Sequence, residues 1–154
     1  MEQLLLLDTN IPITYNRNRS IARRIEEDYQ LFSEEKERFV SVVTLAEIQS
    51  LFHQYGVGDR RRIQMTSRLR EIGTLDIHYQ DVLDRYEEID AFSRGRHRSL
   101  VANFPAIKMG KNALWIAATA AAFDLTLVTT DGDFDHLDGV FLKLIRIPLA
   151  EYLA

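Results

Sequence analysis

Leu4-Leu5-Leu6-Leu7-Asp8-Thr9-Asn10-Ile11-Pro12 decides how the rest of the chain reads. Four consecutive leucines stopped by a polar cluster are too short for a buried helix. They show no alternation, so they read as a strand covered on both faces. Such strands belong to parallel sheets, and Pro12 suits the first turn of a helix that follows directly. Phe39-Val40-Ser41-Val42-Val43 reads as a second buried strand, Leu75, Ile77 and Tyr79 as a short third. A fourth covers 125–129, and Leu142, Leu144 and Ile145 lie in a last one.

Helical spacing fills the intervals. Ile21, Ile25, Tyr29 and Phe32 predict a helix over about 20–35, and 45–55 reads as another, broken by Gly56 and Gly58. Ile63, Leu69 and Ile72 mark a helix ending at Gly73; Val82, Leu83, Tyr86, Ile89 and Phe92 mark the next. A polar loop at 94–111 holds Gly95, Pro105 and Gly110, and precedes an alanine-rich helix at 113–123, in which Trp115 reads as core. Strands alternating with helices give an α/β class: one domain over 1–154, a central parallel sheet flanked by helices as an α/β/α sandwich.

Composition narrows the chemistry. The chain has 154 residues, 46% of them hydrophobic and 27% charged, as in ordinary globular domains. It contains no cysteine, which excludes disulfides, thiolate metal sites and cysteine nucleophiles. No apolar run approaches the ~20 residues of a membrane span. Met1-Glu2-Gln3 carries no basic segment and the leucine run stops at Asp8, so no signal peptide, no membrane partner and a cytoplasmic location are expected. Nineteen Lys and Arg against 23 Asp and Glu leave a net charge of −4, yet arginines cluster at 60–70 and in Arg94-Gly95-Arg96-His97-Arg98. Solvated helix faces account for such clusters, and so does a local site for phosphates.

In parallel sheets ligands bind beyond the carboxyl ends of the strands. Three carboxylates follow strands here: Asp8, Glu47 one turn beyond the second, and Asp131 in Leu-Val-Thr-Thr-Asp-Gly-Asp-Phe. Converging carboxylates raise one another's pKa unless a cation neutralises them, and oxygen-only ligands suit Mg²⁺ or Mn²⁺. Each has a purely structural alternative. Asp8 and Asn10 can cap the first helix, and Thr44 with Glu47 spells a capping box. Asp131-Gly132 is a turn dipeptide, and Asp133 reads as a solvated turn residue or an outer partner of the site. A calcium loop fails, with His136 at its sixth position and Leu142 at its twelfth. His53, His78, His97 and His136 stand singly, and no nucleophile elbow, P-loop or dinucleotide fingerprint occurs.

Four ordered blocks together resemble the PIN-domain family, and within it the VapC-like ribonuclease toxins of type II toxin–antitoxin pairs. They are Leu7-Asp8-Thr9-Asn10, Thr44-Leu45-Ala46-Glu47-Ile48, Asn112-Ala113-Leu114-Trp115-Ile116-Ala117-Ala118-Thr119-Ala120, and Leu127-Val128-Thr129-Thr130-Asp131 through Phe134. The resemblance spans nearly the whole chain. It implies a Mg²⁺- or Mn²⁺-dependent endoribonuclease with water as the nucleophile, a homodimer, and silencing by a small antitoxin. It implies that Asp8, Glu47 and Asp131 are metal-site carboxylates, that Thr9 and Asn10 orient Asp8, and that Asn112 lies at the rim. Arg94, Arg96 and Arg98 are candidates to hold the RNA backbone, though no family motif specifies them. Ile21, Ile25, Tyr29 and Phe32 serve either the core or a groove for the antitoxin segment.

One position departs from the pattern. The residue after Asn in the third block is normally Asp, and here it is Ala113, which supplies neither charge nor ligand. Either the chain is an engineered inactive form, as toxicity to an expression host would motivate, or the site has drifted naturally; acids kept in every other block favour the first. The alternative to an impaired enzyme is a degenerate PIN-like domain that binds RNA or protein. A phosphatase of the haloacid-dehalogenase type would need Asp where Asn10 stands.

Overall fold

Leu5 and Leu7 point to one face of the sheet and Leu6 to the other, and all three are fully buried. The computed structural model describes residues 3–153. Met1 and Glu2, part of the stretch read above for a signal peptide, and Ala154 lie outside the described residues. The leucine run forms β1 (Gln3–Leu7), the middle of a five-stranded sheet ordered β3-β2-β1-β4-β5, with every neighbouring pair parallel. The other strands are β2 (Lys36–Ser41), β3 (Gly73–Leu75), β4 (Thr126–Thr129) and β5 (Lys143–Arg146).

Two hydrophobic layers sandwich this sheet. On one side α1 (Asn10–Arg17) and α2 (Arg19–Tyr29) bring Ile11, Ile21 and Ile25 onto Leu5, Leu7 and Val128. On the other, α5 (Gln80–Ser93) and α6 (Lys111–Ala122) bring Ile89, Phe92, Leu114 and Ala117 onto Leu6 and Leu127. The small alanine side chains of α6 allow this close approach. The pair α3 (Val42–Gln54) and α4 (Asp59–Glu71) makes a separate small core from Ile48, Met65 and Leu69. The α/β sandwich read from the sequence is the architecture found.

Several boundaries move, each for a local reason. The second strand stops at Ser41, and Val42 and Val43 belong to α3, because the Ser41 side chain accepts a hydrogen bond from the Val43 N–H at 3.1 Å and caps the helix. The helix expected over 20–35 ends at Tyr29, where Gln30 turns left-handed at φ 51°. Asn18 caps α2 through the Ile21 N–H at 3.1 Å and separates it from α1. The third strand is Gly73–Leu75, so Ile77 and Tyr79 lie outside it; the Asp76 carboxylate accepts from the Ile77 N–H at 2.7 Å and turns the chain. Leu142 precedes β5.

Candidate active site

The sheet order switches direction between β1 and β4, where neighbouring connections leave to opposite faces. That is the place a parallel sheet offers a ligand. Asp8 follows β1 there and Asp131 follows β4. Asp8 is only 7% exposed, and its backbone N–H still belongs to the sheet, donating to the Val128 carbonyl at 2.9 Å. Its side chain is held by three donors. The Thr9 N–H reaches Oδ1 at 2.8 Å, the Thr129 hydroxyl reaches Oδ2 at 2.7 Å, and Asn10 Nδ2 reaches Oδ2 at 3.3 Å.

Two threonines extend this arrangement to the Glu47 carboxylate and to the Asp131 backbone. The Thr129 hydroxyl that donates to Asp8 accepts from the Asp131 N–H at 3.0 Å. The Thr9 hydroxyl donates to Glu47 Oε1 at 2.7 Å, and lies 2.9 Å from the Thr44 hydroxyl. A hydroxyl carries one proton, so with Thr9 donating to Glu47, Thr44 donates to Thr9. Asn10 closes the group, its Oδ1 accepting from the Thr130 N–H at 3.3 Å. The Asp8 carboxylate therefore stands at the centre of one hydrogen-bonded set that reaches the Glu47 carboxylate through Thr9 and the Asp131 backbone through Thr129.

This geometry disposes of two structural alternatives. Glu47 is not half of a capping box, because α3 begins at Val42, five residues before it, with Ser41 as the cap, which leaves Thr44 and Glu47 on the face turned to Asp8. Thr9, not Asp8 or Asn10, occupies the cap position of α1, and no side chain bonds there. For Asp131 the turn reading holds in part: its Oδ1 accepts from the Asp133 N–H at 2.9 Å and caps a 3-10 turn, Gly132–Leu137. The Asp133 side chain is exposed.

Electrostatically the set is strained. Burial raises the Asp8 pKa above its ordinary value, the bonds from Thr129 and Thr9 oppose this, and the charges of Glu47 and Asp131 raise it further. Among the described residues no three His, Asp or Glu side chains converge closely enough to cage an ion by themselves. The chemistry of the donors, all hard oxygens and mutually repelling, still fits a cation such as Mg²⁺, which keeps several waters and takes one or two carboxylates directly.

The remaining candidates lie around this set. Asn112 is exposed and Ala113 half-buried in the first turn of α6. Arg94 is paired with Asp90 at 2.9 Å, one turn back in α5, whereas Arg96 and Arg98 are exposed. Ile21 and Ile25 are core residues, while Phe32 is 42% exposed and lines a cavity of about 610 Å³ with Tyr15, Arg19, Arg23, Met65 and Arg68. The sequence reading overlooked Thr44 and Thr129 as connectors. Their signal was available, since each stands within three residues of a candidate carboxylate at an element's end. It also overlooked Arg146, which ion-pairs with Asp135 at 2.6 Å and packs against Gly132, the residue after Asp131.

The PIN domain family model matches residues 5–140. The structure is similar to VapBC2 from Rickettsia felis bound to a DNA fragment from its promoter, with a TM-score of 0.70 at 21% identity. It is similar also to FitAcB from Neisseria gonorrhoeae (TM-score 0.67, 21% identity) and to VapBC-5 of Mycobacterium tuberculosis, a member of the VapBC family of toxin–antitoxin systems (0.60, 25%). Each match covers 94% of this chain and 98% of the other. No curated protein matches the sequence.

Proposed function

Because the chain belongs to the PIN domain family, with a match that covers most of its length, we propose that it is a metal-dependent endoribonuclease of the toxin–antitoxin type, impaired in this form by Ala113. One observation carries the reading: at the switch point of a parallel sheet the buried Asp8 carboxylate is joined through Thr9 to Glu47 and through Thr129 to the Asp131 backbone, and both neighbouring carboxylates repel it. Asp8, Glu47 and Asp131 would hold Mg²⁺ or Mn²⁺, which when bound polarises a phosphodiester and lowers the pKa of the attacking water. The hydrogen bonds from Thr129 and Thr9 favour the ionised form of Asp8 against the pull of burial, and Asn10 helps to fix its orientation. Thr9 aims Glu47 inward. Arg96 and Arg98 bind the RNA backbone as exposed cations, in a way that carries no sequence information.

Ala113 supports a second reading, a domain that retains the scaffold and binds RNA or protein without cutting. Its position is in the first turn of α6, where helix amides favour a carboxylate and alanine offers none. Cleavage of total RNA and tRNA with Mg²⁺ and with Mn²⁺ separates the two. The nuclease reading expects Ala113→Asp to cut, this chain to cut little, and Asp8→Asn in the Asp background to abolish cutting. RNA binding without cutting by either form would establish the second reading instead.

The partner we assign is a small antitoxin whose segment lies in the cavity between α1, α2 and α4, where Tyr15, Phe32 and Met65 supply apolar surface and Arg19, Arg23 and Arg68 supply charge. We also assign a homodimer, which light scattering at high concentration tests directly. Among the described residues no helix is long and apolar enough to cross a membrane.

A further inference from the structure

The loop that carries Arg94, Arg96 and Arg98 leaves α5 at Ser93, and Ser93 is fixed more firmly than a loop pivot requires. It is fully buried. Its carbonyl accepts from the Ile107 N–H at 2.7 Å and so closes the loop upon itself. Its hydroxyl lies 2.7 Å from His136 Nε2 and 3.4 Å from Met109 Sδ. His136 belongs to the 3-10 turn that Asp131 caps.

Aromatic packing reinforces the bond. The His136 ring lies nearly parallel to Phe92 at 6.4 Å and edge-on to Phe104 at 5.1 Å, and Phe104 belongs to the loop itself. Within the arginine stretch His97 packs on Phe141 at 6.2 Å, while its Nδ1 accepts from the Ser99 and Leu100 N–H groups at 3.1 and 3.0 Å. The Arg96 N–H returns to the Ala91 carbonyl at 2.7 Å.

The loop also emerges at the correct end of the sheet. Tyr79 packs on Phe123 and Tyr86 on Trp115, so α5 runs antiparallel to α6 and its last residue stands beside the first turn of α6. The short connection from α6 into β4 puts that first turn at the carboxyl end of β4, where Asp131 lies. The Ser93–His136 bond thus joins the arginine loop to the segment that begins at Asp131.

We propose that His136 is a positioning residue that, through Ser93, sets the Arg94–Arg98 loop relative to Asp131 for binding RNA. This rests on the assignment of that loop to the RNA backbone.

Binding of labelled tRNA to the intact chain, without added divalent metal, at pH 8 and at several salt concentrations tests it. At that pH a histidine is neutral. Arg96→Ala and Arg98→Ala should each weaken binding and lower the salt slope by about one. His136→Ala and Ser93→Ala should weaken binding at least about threefold and lower the slope as well, although neither removes a charge. His136→Gln, which can still meet Ser93, should restore most of the affinity.

If the arginine variants weaken binding while His136→Ala and Ser93→Ala change only the melting temperature, the positioning role is overturned and the RNA-binding loop stands. If the arginine variants leave binding unchanged, the loop assignment beneath it falls. Should His136→Ala fail to fold, Ser93→Ala and His136→Gln decide the question by the same two readouts.

Discussion

Asp8 is the residue at which burial and like charge act in the same direction. Both raise its pKa above the ordinary carboxylate value of 3.8, so the folded state holds the proton more tightly than the unfolded state does. Where that holds, the unfolded state binds fewer protons and stability falls as pH rises. The Asp8 contribution is thus present below the unfolded value and lost on the way up through the raised one. Asp8→Asn should gain stability relative to the parent as pH rises from about 4 to 7, read from paired melting curves. Thr9 is the counterpart: Thr9→Val leaves the fully buried Thr44 hydroxyl and Glu47 without their partner and should cost about 1–3 kcal/mol in urea unfolding. The carboxylates were legible in the sequence because each follows a strand. The threonines stand near those carboxylates in the sequence, but the partners they bond were not legible, because a hydroxyl bond across 35 or 38 residues leaves no local pattern.

The order and type of the main elements were legible, and their boundaries were displaced where a single side chain intervenes. Val42 and Val43 have strand propensity, but the Ser41 cap outweighs it and starts α3 early, which is what turns Thr44 and Glu47 towards Asp8. Ser41→Ala should cost about 1 kcal/mol and loosen Glu47 along with the helix, which guanidinium unfolding checks. Gly73 illustrates the opposite case, a glycine required by its neighbour across the sheet. A Cβ there would stand 2.7 Å from the Phe39 ring, to which Gly73 is directly paired. Gly73→Ala should destabilise by about 1–3 kcal/mol through forced repacking. Gly132→Ala meets only the mobile end of Arg146 and should change stability by less than about 1 kcal/mol, since that arginine's ion pair with Asp135 is half-exposed.

At the scale of the whole molecule, one leucine strand buried on both faces dictates the rest. It requires helices on two sides and parallel neighbours, and the order β3-β2-β1-β4-β5 places its carboxyl end beside that of β4. Asp8 and Asp131, 123 positions apart in the sequence, become neighbours for that reason alone. Glu47 joins them because α3 leaves β2 without a loop. The cavity between α1, α2 and α4 was only half legible: helical spacing named Phe32 but assigned Ile21 and Ile25 to the same choice, and only three-dimensional packing sends those two into the core. The central claim is that the three carboxylates act as one cation-holding unit. Titrating Mn²⁺ into the intact chain, followed by the loss of its free paramagnetic resonance signal, tests this most directly and does not depend on whether Ala113 permits cleavage. The account predicts saturable binding that weakens at least about tenfold in Asp8→Asn, Glu47→Gln and Asp131→Asn alike, a loss of about 1.4 kcal/mol or more in each. Binding that is indifferent to all three substitutions would contradict it.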